Sequence, residues 1–153
     1  MSRIASFVIP TGEVVWNLGP TRTSSDFANH LTKVAHQFRN WSRITWVLDN
    51  LNTHFRKCFD DVLGKRAATK LLRRVQFHYT PKHASWLNMA EIEIGILSRQ
   101  CLDRRIESRQ LLCSEVDAWQ QARNALERTI EWNFTRQDAD QKLSRHYVPK
   151  LAC

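Results

Sequence analysis

Ile44-Thr-Trp-Val-Leu48-Asp49-Asn50 is a short apolar run that stops abruptly at two polar residues. Its residues are β-branched or aromatic apart from Leu48, and the run is too short for a helix. An uninterrupted run of this kind predicts a strand buried on both faces, as in sheets with helices packed on either side. Asp49 then falls at the carboxyl end of that strand. In open α/β sheets, ligands bind at the carboxyl ends of strands. The plain structural alternative is an Asx turn, which Asp and Asn both form readily.

The flanking sequence supplies the partners for such a strand. Upstream, Ser6-Phe-Val-Ile-Pro10 and Glu13-Val-Val-Trp-Asn-Leu18 read as strands joined by a turn at Thr11-Gly12. Ser24-Ser25-Asp26 offers a helix N-cap. Phe27, Leu31, Val34 and Phe38 follow at helical spacing, predicting an amphipathic helix over about 25–38. Downstream, Asp60-Asp61 opens a second predicted helix running to about Leu72. Its early acids and late cations suit the helix dipole. Val75-Gln-Phe-His-Tyr79 alternates like a strand, and residues 80–85 read as a loop. From Trp86 to about Leu102 apolar residues cover most of the circumference, predicting a buried helix. Ser108 caps a further helix with Leu112, Val116, Trp119, Leu126 and Ile130 on one stripe, and a last helix spans about 136–145. Trp119, Trp132 and Phe134 read as core. The order predicts one α/β domain: a mixed sheet flanked by helices.

Composition narrows the partners. The 153 residues suit a single core, and 42% hydrophobic with 25% charged residues excludes wholesale disorder. No apolar run approaches a membrane span, so a cytoplasmic chain without a membrane partner is expected. Lys and Arg number 23 against 15 Asp and Glu, a net charge of +8 that points to an anionic partner, nucleic acid first. A basic surface that serves only solubility is the alternative. Cys58, Cys101, Cys113 and Cys153 form no Cys-x-x-Cys pair and read as reduced thiols.

Two carboxylates stand out. Asp49 ends the apolar strand, and Glu91 lies in the first turns of an apolar helix, with Leu87, Asn88 and Ile94 as its helical neighbours. A carboxylate among apolar residues is costly unless paired or bound to a metal; a solvent-facing Glu91 near a helix N-terminus is the alternative. Clustered carboxylates hold paired divalent ions in phosphoryl-transfer sites, and hard oxygen donors favour Mg²⁺ or Mn²⁺.

At these residues the sequence resembles a family. Val47-Leu-Asp49-Asn50, with His54 close behind, is similar to the second-Asp motif of DDE-type transposases, in the mariner-like bacterial insertion-sequence group. Tyr79-Thr-Pro-Lys-His-Ala-Ser-Trp-Leu-Asn88-Met-Ala-Glu91 resembles that group's third motif, in which Asn-x-x-Glu carries the last catalytic acid. Trp132-Asn-Phe-Thr-Arg-Gln-Asp138-Ala-Asp-Gln-Lys-Leu143 resembles its tail. The resemblance implies an RNase H-like fold and Mg²⁺- or Mn²⁺-dependent cleavage of DNA ends, then strand transfer into target DNA. It makes Asp49 and Glu91 the catalytic, metal-holding acids. Asn50, His54, His83 and Asn88 are supporting candidates. Lys65, Arg66, Arg73, Arg74, Lys82, Arg104 and Arg105 are candidates for holding DNA, against the plainer reading of a solvated helix face. The implied partners are transposon ends, target DNA, and a second copy or a full-length transposase, in a nucleoid-associated setting.

The family's first Asp lies on a strand ahead of a hairpin like that of residues 5–18, whereas this sequence has no Asp before Asp26. The expectation is therefore an N-terminally truncated single domain lacking its first strand, its first catalytic Asp and a helix-turn-helix region. On that expectation it is an incomplete copy of a transposase catalytic domain; the alternative is a catalytically inactive DNA-binding or subunit-association remnant. An exposed sheet edge and oligomers are expected with it.

Overall fold

The computed structural model describes residues 2–49, 57–80, 88–129, 133 and 135–147. The chain forms β1 (Ser2–Val8), β2 (Glu13–Gly19), α1 (Ser24–Gln37), β3 (Ile44–Leu48), α2 (Cys58–Leu63), α3 (Lys65–Leu72), β4 (Val75–Tyr79), α4 (Met89–Gln100), α5 (Arg109–Asn124) and α6 (Arg136–Tyr147). This is a mixed α/β architecture. No helix among the described residues is long and apolar enough to cross a membrane.

The expected single mixed sheet is instead two small ones. β1 and β2 form an antiparallel hairpin with Ser2 opposite Gly19 and Val8 opposite Glu13. β3 and β4 pair in parallel, Ile44 opposite Val75 and Leu48 opposite Tyr79. Among the described residues no ladder joins β1 to β3, so the two pairs form separate sheets.

β3 also departs from the expectation of burial on both faces. Ile44, Trp46 and Leu48 are buried, whereas Thr45 is exposed and Val47 is 49% exposed. The alternation is that of a strand covered on one face only. Its inner face joins Phe27, Leu31 and Ala35 of α1, Cys58 and Phe59 of α2, and Ala68 and Leu72 of α3 in one core. Trp46 stacks on Phe59, 5.8 Å between ring centroids, and meets Phe77 edge-on at 5.4 Å. A second core lies under the hairpin, where Val14 and Trp16 pack on Leu97 and Cys101 of the α4 end and Val116 of α5.

α1 touches both halves. Phe27, Leu31 and Ala35 face β3, while His30 hydrogen-bonds Ser6 of β1 at 2.8 Å. Its cap is Thr23, one residue before the expected Ser-Ser-Asp signal. Asp26 occupies the third helical position and closes a capping box, accepting from the Thr23 amide at 2.8 Å.

The single helix expected over about 60–72 is broken into α2 and α3. Gly64 takes φ +75, a conformation open to glycine and costly for other residues, and this ends α2. The acids therefore belong to α2 and the cations to α3. α4 is also less buried than its composition predicts: only Glu93 and Leu97 are fully buried, and Ile92 is 42% exposed.

Candidate functional site

Asp49 follows directly on β3, where Thr80 N–H donates to the Leu48 carbonyl at 2.7 Å and ties the two strand ends together. This places Asp49, half-buried, at the carboxyl edge of the parallel pair. Strand geometry alone brings it there, because a parallel ladder aligns both carboxyl ends on one side.

Glu91 sits in the first turn of α4 and is exposed. Asn88 is the N-cap: its side-chain oxygen accepts from the Ala90 amide at 3.2 Å. That bond explains Asn88 structurally and fixes where Glu91 leaves the helix. The costly carboxylate inside α4 is Glu93. Its side chain is 4% exposed and meets Arg123 of α5, with Arg123 Nη2 donating at 2.6 Å and Nε at 3.0 Å. The Glu93 carboxylate raises the pKa of the Arg123 guanidinium. Glu93 thus bonds α4 to α5 and is spent structurally.

Asn50, His54, Lys82 and His83 lie outside the described residues, as do Trp86, Trp132 and Phe134. Among the described residues, no three His, Cys, Asp or Glu side chains cluster closely enough to hold a metal ion. Asp26 is committed elsewhere. Hydrogen bonds from Thr23 and Thr21 lower the pKa of its carboxyl and hold it at the start of α1. The donor chemistry of Asp49 and Glu91, oxygen only, suits a hard divalent cation. Two carboxylates remain fewer ligands than such an ion takes.

The basic candidates divide by what they touch. Arg74 spends its guanidinium on the end of α1: Nη1 donates to the carbonyls of Arg39 at 2.8 Å and Trp41 at 3.1 Å, and Nη2 donates to Ala35 and Phe38. It is a cap for orphan carbonyls rather than an open phosphate ligand. Arg104 pairs with Glu115 at 2.6 Å in a solvent-exposed bridge, and Arg105 is exposed. Lys65, Arg66 and Arg73 are exposed on α3. Lys70, which the sequence reading left out of its DNA candidates, stands with them. Its signal was the four-residue spacing from Arg66.

Sequence comparison bears out the DDE part of the motif resemblance. The sequence model for the DDE superfamily endonuclease matches residues 4–113, a span that runs from β1 through the first residues of α5 and includes Asp49, Asn88 and Glu91. The chain belongs to the DDE superfamily endonucleases. A search of curated proteins and of solved structures finds no match.

Proposed function

We propose that this chain carries transposase chemistry of the mariner-like bacterial insertion-sequence type: metal-dependent cleavage of DNA strands followed by strand transfer. The observation that supports the DDE part of this reading is the family match over residues 4–113; the insertion-sequence group rests on the motifs around Asp49 and Glu91. Within that span Asp49 stands at the carboxyl edge of a parallel strand pair and Glu91 in the first turn of a capped helix.

Asp49 and Glu91 are the residues that would hold Mg²⁺ or Mn²⁺. A divalent ion there would supply charge stabilisation to the phosphoryl group. Asn88 sets the helix start from which Glu91 projects. The third carboxylate of the motif is supplied by neither Asp26 nor Glu93, since both are hydrogen-bonded into the fold. That favours a second reading, in which the chain on its own binds DNA or another transposase subunit without cutting.

Two measurements separate these readings. Mn²⁺ binding to the purified chain, followed by electron paramagnetic resonance, is expected to weaken at least tenfold in Asp49→Asn and Glu91→Gln. Nicking of supercoiled DNA in Mg²⁺ or Mn²⁺ that disappears in both variants supports the catalytic reading. Nicking that survives both substitutions overturns it. Mn²⁺ and DNA binding with no nicking supports the second.

A further inference from the structure

α3 carries its cations on one face. Lys65, Arg66, Lys70 and Arg73, with Thr69 between them, are all exposed, while Ala68 and Leu72 bury the opposite face in the β3 core. At 1.5 Å per residue the stripe runs about 12 Å. Lys65, Arg66, Lys70 and Arg73 line one shallow hollow, and Arg73 also lines a second with Lys57 and Asp60.

Three features set this face apart from an ordinary solvated helix. Among the described residues none of the four cations has an acidic partner. Arg104, Arg123 and Arg136 each meet a carboxylate, and Arg74 meets backbone carbonyls. The arrangement also works against the helix itself. Lys65 and Arg66 stand in the first turn, which holds no acid, where the dipole disfavours cations. Arg66 and Lys70, and Lys70 and Arg73, repel at the spacings where opposite charges would stabilise. An anionic partner relieves all of these costs together. Finally, the apolar residues of α3 are used up by the core, so the face has no greasy side with which to enter a membrane.

We infer that the exposed face of α3 is a surface for the phosphate backbone of duplex DNA, read through Lys65, Arg66, Lys70 and Arg73. The inference rests on the proposed phosphodiester chemistry for its choice of polyanion. Its geometry is separate from the two carboxylates. The Arg74 carbonyl accepts from the Ile44 amide at 2.8 Å, so the C-terminal end of α3 lies beside the amino end of β3, at the opposite end of that strand from Asp49. Contacts of this class carry affinity and position rather than base sequence.

The test uses the whole chain in EDTA, so that no strand is cut. Binding to a short duplex is followed by fluorescence anisotropy from about 50 to 200 mM salt. Each phosphate neutralised contributes about 0.9 to the slope of log affinity against log salt. Replacing all four cations by Gln is expected to reduce the magnitude of the slope by about 3.6. The fourfold rise in salt then weakens the wild type about 150-fold more than the variant. The milder pair Lys65→Gln with Arg66→Gln, expected to lose about half of that, serves if the quadruple variant melts early. A variant stripped of Arg99, Arg109, Arg128 and Arg136 loses the same charge from α4–α6 and the α5 end, and is expected to keep the slope. An unchanged slope in the α3 variants overturns the inference, as does an equal loss in the α4–α6 variant. Preferential binding to duplex RNA or to anionic vesicles overturns it too. Nicking is scored separately, so failure here leaves the reading of Asp49 and Glu91 standing, and the reverse holds as well.

Discussion

His30 makes this fold sensitive to mild acid. The imidazole is buried between α1 and β1, and its Nε2 meets Ser6 Oγ at 2.8 Å, while Nδ1 has no hydrogen-bond partner among the described residues. Protonation would bury a second N–H with nothing to receive it. Burial first, and the nearby Lys33 charge second, pull the pKa from the ordinary 6.5 to about 4. The unfolded chain therefore takes up this proton more readily than the folded one, and stability falls as pH drops from 6.5 toward 4. At 1.36 kcal/mol per pH unit the loss is negligible at pH 7, about 2 kcal/mol at pH 5 and about 3 kcal/mol at pH 4, after which it levels off. His30→Gln keeps a polar atom for Ser6 and removes the titration. Urea denaturation at pH 7.5 and pH 5 is expected to show the wild-type midpoint falling by about 1 M more than that of the variant. Asp26 does not confuse the comparison. Its lowered pKa gives stability that is lost only as pH falls below about 3.8. Equal pH sensitivity of wild type and His30→Gln would refute the reasoning.

Other substitutions test the tertiary contacts. Arg123→Ala leaves the Glu93 carboxylate buried without its partner and is expected to cost about 3–5 kcal/mol by chemical denaturation. Replacing both residues by apolar ones of similar size should cost clearly less. Gly12→Ala drives a Cβ into the Arg128 carbonyl at φ +72, whereas Gly64→Ala meets only open space at φ +75. The first is expected to lower stability by about 2 kcal/mol or more and the second by about 1 kcal/mol, as read from urea midpoints. Asn124→Ala removes the side chain that accepts from the Val14 amide at 2.8 Å and donates to the Val14 carbonyl at 3.0 Å. It should cost about 1–3 kcal/mol and raise aggregation measured by light scattering, because the β2 edge is then open at Val14 while Gln120 still covers it at Trp16.

Much of the element order was legible in the sequence. Thr11-Gly12 marked the hairpin, Ile44–Leu48 and Val75–Tyr79 were strands at the expected residues, and Ser108 capped α5. Each of these signals lies within a few residues of the structure it causes: a turn needing glycine, a cap needing a hydroxyl, an apolar run needing cover. The break at Gly64 was harder to read, because the flanking residues suit a helix on both sides and only the backbone angle at one residue divides them.

The candidate acids show the same division more sharply. The motif that marks Asp49 and Glu91 is written along the chain, and so is the position of each at the end of a strand or the start of a helix. Which carboxylate in α4 is buried is not. Glu91 and Glu93 are two residues apart on similar sequence, and Arg123, thirty residues beyond Glu93, decides that Glu93 is the one drawn inward. Arg73 and Arg74 are adjacent and alike in charge; the end of α1, more than thirty residues upstream, claims Arg74 and leaves Arg73 on the open α3 face. The sequence by itself determined the elements and the family, because those depend on short-range sterics and on residues met in order. Tertiary structure alone decided which charges are spent inside the fold and which stay exposed. That choice is made by desolvation and by partners far away in the chain, which pay attention to space rather than to sequence.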